Sequence, residues 1–160
     1  MTTKTRRDTE DPLSSFPGYL LRRASVAALG ELNDRLAEFE LRHADFALLM
    51  LIRANPGLSQ SEAGRMLDIQ RPNMVPLVAK LEKRGLVSRK PIDRRSQAIS
   101  LTAAGSRLVR KACVAVEECE RELIDRVPKR LRPAVRPILL AMWRGKTDGQ
   151  GTDIASDENI

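Results

Sequence analysis

Apolar side chains recur at intervals of three and four over most of this chain, and only one short region replaces that rhythm with alternation. Between Pro17 and Phe39, the residues Leu21, Ala24, Ala28, Leu32, Leu36 and Phe39 fall along one helical stripe. Leu108, Ala112, Val116, Cys119 and Leu123 form a similar seam further on. A shorter helix is expected from Ala44 to Ala54, closed by the turn signal Asn55-Pro56-Gly57. Pro128, Pro133 and Pro137 punctuate the approach to Ile138-Leu139-Leu140-Ala141-Met142-Trp143, which predicts a last helix that starts late or is kinked at Pro137. Trp143 would serve that helix either as an anchor between two copies of the chain or as ordinary core.

The span from Ser59 to Thr102 reads as helix, tight turn, second helix and hairpin. Ser59-Gln60-Ser61-Glu62 fits the S-x-x-E capping box, in which hydroxyl and carboxylate each satisfy a backbone N–H left free at a helix start. A short helix should run from there to about Leu67, with Ala63, Met66 and Leu67 as its apolar face. Asp68-Ile69-Gln70 then makes the connection, with Ile69 plugging the angle between the helices. The second helix is expected over Arg71 to Arg84, ended by Gly85 at a left-handed position. Its buried face would be Met74, Leu77, Val78 and Leu81, and its outward face Asn73, Pro76, Lys80 and Lys83, which reads as short, polar and positive. Asn73 matches an adenine edge, while Arg71 and Lys80 can reach phosphate or guanine. On a lone helix such a face would pass as solvated surface; its neighbours change the reading.

Leu86-Val87-Ser88-Arg89-Lys90 and Ala98-Ile99-Ser100-Leu101 alternate enough to form two strands around a loop from Pro91 to Gln97. The loop carries Asp93, Arg94 and Arg95, and an arginine at a ribbon tip suits a narrow minor groove. Asp93 would hold one arginine in place by a charge-assisted bond, the bland alternative being a solvated turn. Pro76 is the awkward residue. If the helix begins at Arg71, Pro76 lacks a donor and crowds the carbonyl of Pro72, at a cost of about 3 kcal/mol. If Asn73 is instead the cap, Pro76 falls where no N–H is required. Either way it offers apolar surface to a thymine methyl.

The runs LSQSEAGRML, DIQRPNMVPLVAKLEKRGLVSRK and IDRRSQAISLTAAG together resemble the MarR family of bacterial transcriptional regulators. The resemblance is most specific in the D-x-R tip followed by L-T-x-x-G, and extends more loosely from about residue 17 to residue 145. It implies a mainly α fold with a small β-hairpin wing: a winged helix-turn-helix with N- and C-terminal dimerisation helices. It also implies a homodimer on a pseudo-palindromic operator in double-stranded DNA, usually repressing, released by a small molecule. Carried over by residue, the recognition helix falls on Arg71 to Arg84 and the wing arginine on Arg95, with Asp93 ahead of it. Ser59, Gln70, Arg71, Asn73, Pro76, Lys80, Asp93, Arg94 and Arg95 are the expected DNA contacts. Pro76 departs from the family, standing where such helices often carry a polar or basic side chain.

Composition agrees. The chain has 28 basic and 21 acidic residues, net +7. Residues 1–12 hold three of each sign and residues 147–160 hold four acids and no base, which leaves 25 basic and 14 acidic between 13 and 146. A basic body suits a polyanion. A membrane surface is disfavoured by one Trp, one Tyr and no basic amphipathic segment with an aromatic face, and Phe46 to Ile52 is far too short to span a bilayer. The start Met-Thr-Thr-Lys has no apolar signal core, so a cytoplasmic location is the expectation. The expected organisation is one domain over 13–146, with the winged helix at about 44–102 and dimerisation helices at about 17–40 and 103–145, between disordered polar tails.

Cys113 and Cys119 stand six positions apart on one expected helix, roughly 9 Å along its axis, and cannot pair within a chain. They read as structural thiols, with a redox switch the alternative; some MarR-like sensors carry their reactive cysteine near the first helix, where this chain has none. No zinc spacing, nucleophile elbow, phosphate-binding glycine loop or H-E-x-x-H pair occurs, so neither an enzyme nor a cofactor is expected. By resemblance, an effector that is small, often aromatic and anionic should enter between the dimer helices and the reading head. The run Pro17-Gly18-Tyr19-Leu20-Leu21-Arg22-Arg23 and QRPNMVPL resemble members governing catabolism of hydroxycinnamate-type acids, sometimes sensing the acyl-CoA form. Tyr19, Arg23 and His43 are the expected lining residues, with helix capping or packing the ordinary alternative for His43 and surface exposure for Arg23. Two rival functions use the same basic surface: sequence-neutral coating of DNA, and an RNA-binding or adaptor winged helix.

Overall fold

The computed structural model describes residues 11–91 and 97–144. A 3-10 turn at Pro12–Ser15 leads into α1 (Pro17–Ala37), followed by α2 (His43–Ala54), α3 (Gln60–Met66) and α4 (Arg71–Lys83). The hairpin β1 (Val87–Pro91) and β2 (Gln97–Leu101) precedes α5 (Ala103–Asp125), and a 3-10 turn at Lys129–Leu131 precedes α6 (Arg132–Arg144). Helices dominate, as the periodicity predicts, and the strands pair antiparallel from Val87↔Leu101 to Pro91↔Gln97. The chain divides into two compact units between Cys119 and Glu120.

In the first unit the core joins Leu36 and Leu41 from the α1–α2 corner, Leu48, Leu49 and Ile52 of α2, and Met74, Val78 and Leu81 of α4. Val87 and Ile99 of the hairpin and Val109 and Ala112 of α5 complete it. Three helices end in the same way. Leu41 N–H donates to Leu36 C=O and Glu40 N–H to Ala37 C=O; the same pair of bonds links Ile69 to Gly64 with Asp68 to Arg65, and Leu86 to Leu81 with Gly85 to Glu82. The residue at the bend takes φ of 53° at Glu40, 52° at Asp68 and 67° at Gly85, the left-handed conformation of a Schellman cap.

The last of these caps explains the L-T-x-x-G run. Thr102 accepts the Gly105 N–H at 3.0 Å to start α5, and its hydroxyl donates to the Gly85 carbonyl at 2.7 Å, fastening the end of α4 to the start of α5. A Cβ at Gly105 would collide with the Leu86 carbonyl, so glycine alone permits that approach. The hairpin is held against the helix-turn-helix by a bridge from Ser59 to Ala98, and Ile99 N–H donates to Leu58 C=O at 2.8 Å.

In the second unit the Arg132 guanidinium ties the helix start to the preceding turn, donating to Asp125 Oδ1 at 2.6 Å, Asp125 O at 2.9 Å and Val127 O at 2.9 Å. Helix α6 begins at Arg132 and carries Pro137 inside it, at the same offset from an Arg-Pro start as Pro76 in α4.

Candidate nucleic-acid interface

Residues that read DNA must be presented on one surface, and α3, α4 and the hairpin base supply it. Ser59 opens α3 with the full capping box: its N–H and hydroxyl donate to Glu62 Oε2 at 2.9 and 2.6 Å, and its Oγ accepts the Glu62 N–H at 3.2 Å. The Ser59 hydroxyl first and its backbone N–H second hold the Glu62 carboxyl below the ordinary value of 4.5. The Ser59 hydroxyl is therefore engaged in the helix start. The apolar face of α3 is partly corrected: Ala63 and Gly64 are buried and Leu67 is half-buried, but Met66 is 56% exposed.

Gln70 is the N-cap of α4 and Arg71 its first residue, which excludes the later start at Asn73. Pro72 thus occupies the first turn, and Pro76 sits inside the helix, leaving the Pro72 carbonyl without its usual i+4 donor. Gln70, Arg71, Asn73 and Pro76 are all exposed. Between α3, the start of α4 and the hairpin base runs a cleft of about 840 Å³, into which Arg65, Arg71 and Arg89 converge from three elements with Ser61, Gln70 and Gln97. Arg89 pairs with Glu82 at 2.8 Å, while its buried Nε has no partner. Arg65 and Arg89 were not among the expected contacts. The strand alternation that places Arg89 on the helix-turn-helix side is visible in the sequence; the position of Arg65 depends on the angle between α3 and α4.

The outward face of α4 is less polar and less positive than expected. Lys80 is paired across the fold: its Nζ donates to Asp45 Oδ2 at 2.6 Å, the same oxygen that accepts the Arg42 N–H at 2.8 Å and caps α2. Asp45 is 1% exposed. Its place on the buried phase of α2, with Leu48, Leu49 and Ile52, was the sequence signal for such a partner. Arg84, at the end of α4, donates to Glu40 O at 2.6 Å and Phe39 O at 3.1 Å and so grips the α1–α2 corner. The wing residues Asp93, Arg94 and Arg95 lie outside the described residues; the ladder below them closes at Pro91↔Gln97.

Within one chain the expected effector residues stand in two places. Arg23 donates to the Tyr19 hydroxyl at 3.0 Å one turn away on α1, and its guanidinium lies 5.8 Å from the ring centroid. His43 is bound instead to Asn33, by its N–H at 2.9 Å and its Nδ1 at 3.3 Å. Asn33 is ten residues beyond Arg23, roughly 15 Å along the same helix. His43 is the first residue of α2, whose N-cap is Arg42, and its bonds go to α1 rather than to the helix start. Cys113 Sγ rests against Met50 Sδ at 3.4 Å and accepts from Arg53 at 3.6 Å, and Cys119 is buried.

Helix, left-handed turn, exposed helix and antiparallel hairpin, with arginines converging between them, define a winged helix-turn-helix transcription regulator. The chain belongs to the MarR family, whose model matches residues 40–96. An HTH-type transcriptional repressor of Mycobacterium tuberculosis is 30% identical over 112 residues, covering 69% of this chain and 81% of that one. Among solved structures, the transcriptional repressor CouR bound to p-coumaroyl-CoA superposes with a TM-score of 0.77 at 32% identity, over 85% of this chain and 97% of that one. CouR bound to a 23-mer DNA duplex gives 0.73 at 33%, over 87% and 99%. Among the described residues no helix is long and apolar enough to cross a membrane.

Proposed function

We propose that this regulator is a homodimeric repressor of a pseudo-palindromic operator, released by a small aromatic acid or its CoA thioester. The observation that carries the operator reading is the convergence of Arg65, Arg71 and Arg89 beside an exposed α4, a cationic seat for a phosphate backbone next to a helix free to enter the major groove. From the sequence, Arg94 and Arg95 are the further cations expected of the wing, with Asp93 to orient one of them. The dimer reading rests on the apolar residues α1 and α6 leave to water, among them Leu20 and Val26 on the first and Leu139 and Trp143 on the second. The effector reading rests on the likeness to CouR, which was solved with p-coumaroyl-CoA, and on the Tyr19–Arg23 pair, which offers a ring face and a cation side by side.

The test is a footprint on the DNA upstream of the chain's own gene, repeated with p-coumarate and p-coumaroyl-CoA. Two protected half-sites about 10 base pairs apart, centre to centre, are expected, together with loss of protection when effector is added. Arg95→Ala should weaken that binding by about 1–3 kcal/mol. Protection that no aromatic acid or thioester alters would overturn the effector reading, and uniform protection of all DNA would overturn the operator reading.

A further inference from the structure

We infer that α4 reads thymine 5-methyl groups through an apolar strip formed by Pro72, Val75, Pro76 and Ala79. The inference rests on the operator reading above and deepens it by naming the chemical group recognised. At about 100° per residue these four positions fall on the side of α4 opposite the buried line Met74, Val78 and Leu81. All four are exposed, Val75 at 46%. Along α4 itself, Lys80 is held by Asp45 and Glu82 by Arg89, which leaves Gln70, Arg71 and Asn73 at one end of the strip and Lys83 at the other; Val75 alone of the four also borders the cleft lined by Ser61, Arg65 and Gln97.

An apolar strip bordered by cations matches a surface whose walls are anionic and whose floor carries methyl groups. The DNA major groove is such a surface: phosphates line its edges, and thymine alone among the four bases presents a C5-methyl there. The strip is suited to that contact. Proline has no N–H to desolvate, and the β-branched valine has little rotamer freedom to lose. A groove read only by hydrogen bonds would leave these side chains facing base edges with no bond to make.

The full-length protein is first used to select its preferred duplex from a random pool, and affinity is followed by fluorescence anisotropy. Thymines of the selected half-site are then replaced one at a time by uracil, which removes only the methyl group, and cytosines by 5-methylcytosine, which adds one. At the contacted positions each uracil should weaken binding about three- to five-fold, the worth of one buried methyl, whereas uracil outside the protected site should have no effect. With Val75→Ser the thymine-to-uracil difference should shrink at one position per half-site. Because the base replacements need no altered protein, misfolding of that variant leaves the test intact. Equal affinity for thymine and uracil throughout the selected site overturns the methyl reading and leaves the regulator standing. A protein that selects no sequence overturns both.

Discussion

Asp45 shows what a single carboxylate can decide. Buried, with Oδ2 shared between the Arg42 N–H and Lys80 and with Oδ1 unpartnered, it depends on the Lys80 ammonium. Lys80 is itself 45% exposed and hydrates readily when released, so the two halves of the pair are unequal. Lys80→Met should cost about 2–3 kcal/mol in urea unfolding by stranding a buried charge, and Asp45→Asn in the same chain should recover part of that loss. The salt dependence of DNA binding should keep its slope in Lys80→Met, since a residue that contacts no phosphate releases no counterion; a slope shallower by about one would return Lys80 to the interface. Glu62 gives a pH signature. Its folded pKa is depressed, so its share of stability is present above the unfolded value of 4.5 and lost as pH falls through the folded value. Urea midpoints measured from pH 7 down to pH 3 should show that acid-side loss, and Glu62→Gln should lack this component.

Among the elements, the three Schellman caps invite comparison because only one uses glycine. Asp68 holds a left-handed φ of 52° at the turn between α3 and α4 and lines the cationic cleft. Asp68→Gly should raise stability by up to about 1 kcal/mol and tighten binding to random duplex by removing an acid from the phosphate seat; weaker binding in anisotropy would place a DNA-facing role on the carboxylate. What the sequence disclosed about these elements follows from range. Ser59 and Glu62, Gly85, and the alternation around Ile99 act through near neighbours, so the capping box, the stop of α4 and the hairpin were legible within one or two residues of their observed bounds. Lys80 and Asp45 are thirty-five positions apart, and nothing local distinguishes a lysine bound across the fold from one facing a groove. Met66 faces solvent rather than the core, and the sequence could not show it for a related reason: a seven-residue helix is too short for its period to say which side Gly64 presses against Ile69.

For the whole molecule, the described part of α6 has no buried residue, with Ile138, Leu139 and Met142 about half exposed and Trp143 at 70%. If a second copy covers this face, Leu139→Arg should give a monomer in sedimentation equilibrium and weaken operator binding by about 10²–10⁴-fold through loss of the tethered second half-site. A variant that stays dimeric would move the contact elsewhere. The chain's reading head is also coupled to its first helices. Arg84 spreads one guanidinium across the carbonyls of Phe39 and Glu40, and a forked ion resists twisting about either bond in a way one ammonium cannot. Bend and helix are therefore joined by one rigid fork, and any displacement of that corner that leaves both bonds intact must carry the end of α4 with it.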